Sequence, residues 1–145
     1  MEMQEANISE NSVVLSLDTA TPVHSAALLR AGRVLYEVSV DAVDKEGPGL
    51  LSLVDAALRH CRLTIRDVDR FAVSRGPGAF TGLRVSMALL KSFALTLDRP
   101  LYAGSSLESL ARAAMPSATP LAACIDARRG EIYAAFYAWE HDALV

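Results

Sequence analysis

Histidine, cysteine and tryptophan are nearly missing from this chain, at three, two and one residues in 145. His24, His60 and His141 never fall at His-x-x-x-His spacing, and none lies at metal-ligand spacing from Cys61 or Cys124. The usual sequence patterns of a zinc site are therefore excluded. Two isolated cysteines suggest buried thiols rather than a disulfide. Gly-x-Ser-x-Gly is absent, and with it the signature of a strained nucleophile elbow. Charge is scarce as well: 21% of residues are charged, with 14 basic and 17 acidic giving a net −3. No basic run exceeds Arg128-Arg129, which argues against a free-standing nucleic-acid binder. The N-terminus carries Glu2 and Glu5 instead of a basic stretch, so no signal peptide and a cytoplasmic location are expected. The most apolar segment is interrupted by Lys91 and closed by Asp98-Arg99-Pro100, which reads as too short to span a bilayer.

What the chain does have is apolar side chains, 52% of it, ample for a sizeable core. Its length suits one domain, or one domain and the opening of another. Residues 1–11 are polar and expected to be flexible. Val13–Leu17, Ser25–Leu29 and Arg33–Val40 read as three successive antiparallel strands, the last two joined by a tight hairpin at Ala31-Gly32. Val43–Pro48 reads as a loop, since Gly47-Pro48-Gly49 cannot continue a helix or a central strand. From Leu50 the apolar period changes to 3.6: Leu50, Leu53, Val54, Ala57, Leu58 and Cys61 share one helical face, which Leu51 broadens. Thr64-x-x-Asp67 has the spacing of a capping box, and Arg70–Ser74 is a further strand.

The stretch Ser74-Arg75-Gly76-Pro77-Gly78-Ala79-Phe80-Thr81-Gly82-Leu83-Arg84 then joins that strand to a helix expected over Thr81–Leu97, with Thr81 as its cap. Glycines at this turn permit close backbone approach, and the free N–H groups of a helix start can hold an anion. The spacing matches neither a P-loop nor Gly-x-Gly-x-x-Gly, so a plain strand-to-helix turn explains it equally well. The helix is apolar over most of its circumference. Such a helix needs cover on nearly all sides, from the sheet and from a second helix or a partner. Leu101–Gly104 is a strand, Leu107–Ala114 a helix capped by Ser105 or Ser106, and Met115–Pro120 a linker. Leu121–Ile125 and Ile132–Tyr137 form a hairpin around Asp126–Gly130 that is apolar on both faces and wants cover.

This order of elements is that of an α/β, ribonuclease H-like lobe with a mixed sheet and helices on both faces. We therefore expect that lobe over residues 12–116, and over 117–145 the opening hairpin of a truncated second lobe. In such a fold Asp18, at the end of the first strand, suits a Mg²⁺-held water, and Thr19 or Thr21 suits a phosphate. A hydrogen-bonded turn is the competing reading. Asp126, Arg128, Arg129 and Glu131 read as a charged hairpin tip.

Three strings together resemble the TsaB (YeaZ) family: Asp18-Thr19-Ala20-Thr21, Arg75 to Arg84, and Ile125-Asp126-Ala127-Arg128-Arg129-Gly130-Glu131-Ile132-Tyr133. They occur in order over residues 13–137. The resemblance implies an actin/Hsp70-like fold and a part in threonylcarbamoylation of the tRNA adenosine beside the anticodon. It implies no catalytic residue and no metal site. The role would be that of a scaffold which pairs with the transferase TsaD and helps recruit the ATPase TsaE. It further implies a partner surface on the helix pair Leu50–Cys61 and Thr81–Leu97, able also to form homodimers, with tRNA met only within the complex. On that surface Leu50, Leu53, Val54, Leu83, Met87, Leu90 and Phe93 are the candidate contacts. Where TsaD-like enzymes carry His-x-x-x-His, this chain reads Glu46-Gly47-Pro48-Gly49-Leu50-Leu51, and metal-dependent transfer is not expected. The glycoprotease label sometimes given to the family finds no nucleophile–base pair here. The alternative is a nucleotide-hydrolysing lobe that binds ATP or ADP with Mg²⁺ through Asp18, Thr19, Thr21, Gly76, Gly78, Thr81 and Gly82. Nucleotide at a partner interface fits either reading.

Overall fold

The computed structural model describes residues 11–42, 49–114, 116–117, 119–140 and 143–145. The expected Val43–Pro48 loop and nearly all of the N-terminal stretch lie outside the described residues. Strands β1 (Val13–Asp18), β2 (Val23–Arg30) and β3 (Arg33–Asp41) form an antiparallel meander. Helix α1 (Leu50–His60) leads through a 3-10 turn at Ile65–Asp67 into β4 (Arg70–Ser74), and α2 (Phe80–Leu97) leads into β5 (Leu101–Gly104). The sheet order is β3-β2-β1-β4-β5, with β4 parallel to both β1 and β5. Helix α3 (Ser106–Ala113) precedes a separate hairpin, β6 (Leu121–Arg128) and β7 (Glu131–Tyr137). Two short strands, β8 (Trp139–Glu140) and β9 (Ala143–Leu144), pair at the end.

Alternation along β1 decides where the core lies. Val13, Leu15 and Leu17 are buried on one face, aligned with Leu28 and Ala26 of β2 and with Phe71 and Val73 of β4. Both long helices pack on that one face, α1 through Leu53, Val54, Ala57 and Leu58, and α2 through Leu90 and Ala94, rather than on both faces as expected, because the buried side chains of β1 all lie on that side. Burying each of the leucines, valines and Phe71 among them stabilises the fold by about 1.5–3 kcal/mol. Helix α3 has a different task. Its Leu107 and Ala111 pack on Ala123 of β6, with Ile125, Ala135 and Tyr137 around them, in a second and smaller cluster. The boundary expected at residues 116–117 therefore separates two elements that share this core.

The helix ends show what local sequence can and cannot specify. Ser105 caps α3, its hydroxyl accepting from the Glu108 N–H at 3.4 Å. At the 3-10 turn the Asp67 carboxylate accepts from both the Thr64 N–H (2.7 Å) and the Thr64 hydroxyl (2.8 Å). These bonds hold its pKa below the ordinary carboxylate value, the backbone bond from Thr64 contributing most. Thr81 is not the cap of α2. The helix begins one residue earlier, at Phe80, behind Ala79, which offers no side-chain oxygen. Both thiols are free, as expected, but neither is fully buried: Cys61 is half-buried and Cys124 exposed, which corrects that part of the reading. Finally, α2 has 18 residues and by length and composition alone is apolar enough to cross a membrane, contrary to the sequence expectation. Here its Leu90, Phe93 and Ala94 are engaged with the sheet.

Candidate functional site

The turns after β1 and β4 meet at the carboxyl ends of these parallel strands, and their polar groups hold each other. One Asp18 carboxylate oxygen accepts from the Ala20 N–H at 2.8 Å, and the other accepts from the Ser74 hydroxyl at the end of β4. The buried Thr19 hydroxyl donates to the Ser86 Oγ on α2 at 2.8 Å. Between the turns, the Ala79 N–H donates to the Ala20 carbonyl at 2.7 Å.

The glycines follow from this contact. A Cβ at Gly78 would lie 2.3 Å from the Ala20 carbonyl oxygen, and one at Gly82 would lie 2.4 Å from that of Thr19. These are backbone atoms that cannot swing away. The glycine-rich string is thus explained by one turn packing on another. Of the residues considered for a phosphate, Asp18, Thr19, Gly78 and Gly82 take part in that packing, while the space beside Gly76 is filled by the Leu83 side chain. Thr21, Gly78 and Thr81 do line a groove of about 690 Å³ that runs to Leu110 of α3 and to Cys124, Asp126, Arg128 and Tyr133 on the hairpin. Thr21 Oγ1 is engaged with the backbone of Val23, and Asp126 accepts from the Arg128 N–H at 2.7 Å, so both sit in locally satisfied turns. Among the described residues no group of three or more His, Cys, Asp or Glu side chains could hold a metal ion.

The candidate partner residues divide by burial. Leu53, Val54 and Leu90 are core residues, at most 3% exposed, and are corrected from interface to interior. Leu50, Met87 and Phe93 are half-buried against the same core, and Leu83 is half-buried at the glycine turn. What the two helices present outward is a different set: Leu51 on α1, with Val85, Ala88 and Leu95 on α2. Leu95 is 74% exposed. Exposed apolar side chains are thus present on both helices, at positions neighbouring the expected ones, and also on the hairpin at Ile132 and Phe136. Helix α2 is apolar nearly all round, so its sequence carries little periodic signal for its inner face.

Ala88 also lines a smaller groove of about 420 Å³, together with Ser74, Arg75, Phe80, Leu83, Arg84 and Met87. Phe80 is 72% exposed, and the Arg84 guanidinium stands 5.2 Å from its ring centroid. Reading the sequence placed Arg75, Phe80 and Arg84 in the glycine-rich string but missed Phe80 and Arg75 as members of a site. A large aromatic amid the small residues of a turn was the available signal.

A mixed five-stranded sheet in this order, with the paired turns at its carboxyl end, defines an actin-like, ribonuclease H-like lobe. The family model TsaD, described as tRNA N6-adenosine threonylcarbamoyltransferase, matches residues 48–144. The tRNA threonylcarbamoyladenosine biosynthesis protein TsaB of Bacillus subtilis is 31% identical over 131 residues, which cover 90% of this chain and 57% of that protein. Its namesake in Haemophilus influenzae is 35% identical over 126 residues, 86% of this chain and 53% of that one. The solved structure of YeaZ from Pseudomonas aeruginosa superposes with a TM-score of 0.81 at 36% identity, covering 92% of this chain and 63% of that one. The chain belongs to the TsaB (YeaZ) family, within the TsaD-like fold. It spans little more than half the length of these curated relatives.

Proposed function

We propose that this chain is a non-catalytic scaffold in the threonylcarbamoylation of tRNA, pairing with a TsaD-type transferase and supporting recruitment of TsaE in the cytoplasm. The observation that carries this reading is the outward exposure of Leu51 on α1 and of Val85, Ala88 and Leu95 on α2, two helices whose inner faces are already satisfied by the sheet. Apolar area left in water on these helices is what a partner or a second copy of the chain gains by covering. The names of the relatives supply the process. The nucleotide-hydrolysing alternative takes second place, because Asp18 and Thr19 are occupied with holding the two turns together.

Size-exclusion chromatography with light scattering, on the chain alone and mixed with its cognate TsaD, tests the pairing. A one-to-one complex is expected, lost in Val85→Asp and Leu95→Asp without a change in melting temperature. Variants that pair as well as the parent would remove this surface from the proposal. A parent chain that never pairs would remove the scaffold role. Leu90→Asp is no test of the surface, because a charge buried in the core unfolds the chain.

A further inference from the structure

Apart from Ala88, which it shares with the outward apolar residues, the groove at the start of α2 combines features that the scaffold role does not use. Phe80 keeps a phenyl ring 72% in solvent although it opens a helix with a sheet beneath it. Arg84 stands over that ring, and Arg75 lines the same groove. Neither arginine forms an ion pair among the described residues, and no carboxylate lines the groove. In a chain of net charge −3 this is a local reversal of sign. The floor is apolar, made by Leu83, Met87 and Ala88, and the volume of about 420 Å³ suits a ligand of nucleotide size.

We propose that Arg75, Phe80 and Arg84 form a contact for an unpaired stretch of RNA, one base lying on the Phe80 ring and the flanking phosphates meeting the two guanidinium groups. An exposed aromatic beside arginines is how single-stranded nucleic acid is held without sequence readout, because every base has a π-face and every linkage a charge. An acidic peptide would satisfy the arginines but offer nothing planar to the ring or the apolar floor. A paired duplex would satisfy the phosphate contacts but keep its bases stacked on each other. The contact is small, and the chain as a whole is acidic, so it guides RNA within an assembly rather than capturing it alone. The identity of that RNA as tRNA rests on the function proposed above; the chemistry of the groove does not.

The test is fluorescence anisotropy at low salt with a labelled RNA hairpin bearing an unpaired loop, and with the same stem as a closed duplex. The hairpin is expected to bind more tightly than the duplex. Phe80→Ala should weaken it roughly 5- to 100-fold, the range for loss of one base–aromatic stack. Phe80→Leu, which keeps apolar bulk for the fold but removes the ring, should weaken it in the same direction. Arg75→Gln and Arg84→Gln should each lower the slope of log affinity against log salt by about 0.7. Equal binding of hairpin and duplex, or hairpin affinity untouched by the Phe80 and arginine variants, would overturn the proposal. So would poly-glutamate binding that depends on these residues while RNA binding does not. Reconstituted tRNA modification with TsaD separates the two levels. If the parent supports modification and the variants keep both activity and RNA affinity, only the RNA contact falls. A parent that supports none would sink the functional reading, and the anisotropy would still decide the groove.

Discussion

The five-stranded sheet with α1 and α2 encloses Phe71, Leu15 and Leu90 completely, while the β6–β7 hairpin with α3 leaves Phe136 81% and Ile132 66% exposed. Both regions are rich in apolar residues, so composition alone would rank them alike. They differ in how many layers meet. The sheet has two helices laid along one face, whereas the hairpin has one short helix on one side. Stability is therefore concentrated in the first region. The second keeps apolar area available, as do the outer sides of α1 and α2.

The sharpest way to break this comparison is to truncate one phenylalanine in each region. Phe71→Ala should cost roughly 3–5 kcal/mol in urea unfolding, and Phe136→Ala no more than about 0.5 kcal/mol. Similar losses at the two positions would show that the hairpin carries as much of the core as the sheet. Next in size is the contact between turns. Gly78→Ala drives a methyl into the Ala20 carbonyl and should destabilise by about 3 kcal/mol. Gly104→Ala, where no atom lies within 4 Å of the added Cβ, serves as the neutral control. A harmless Gly78→Ala in thermal melts would show that the contact with Ala20 is not what requires glycine there. Ser86→Ala leaves the buried Thr19 hydroxyl without its acceptor and should cost about 1–3 kcal/mol. Adding Thr19→Val should recover part of that loss, and a strictly additive double variant would argue against the pairing.

The smallest effect concerns Asp67. Its folded-state pKa is depressed, so its contribution is present above the unfolded value and disappears as pH falls through the folded one. Denaturation midpoints followed from about pH 5 to about pH 2 should therefore fall slightly more in the parent than in Asp67→Asn. Parallel curves would mean that the Thr64 bonds do not favour the ionised carboxylate in solution.

Much of this was legible in the sequence because much of it is local. The strands at Val13, Arg33 and Arg70, the helix from Leu50 and a serine cap at Ser105 or Ser106 are read from alternation, the 3.6 period and short polar signals within a few residues of one another. The hairpin strand β6 runs on to Arg128, past the turn expected from Asp126, because the reversal is made tightly at Arg129-Gly130. The small β8–β9 pair gave no signal above its few residues.

Sequence by itself determined the order of elements, the family strings and the presence of an apolar helix pair, since propensity, periodicity and turn chemistry act over short separations. Only the tertiary structure decided which side of α2 is core. It placed Leu90 inside and Leu95 outside, because a helix apolar all round is oriented by the sheet it packs on. It also decided that Asp18 and Thr19 are fasteners, since Ser74 lies 56 residues away and Ser86 lies 67 away along the chain. Those partners meet only when the parallel strands β1 and β4 bring the two turns together.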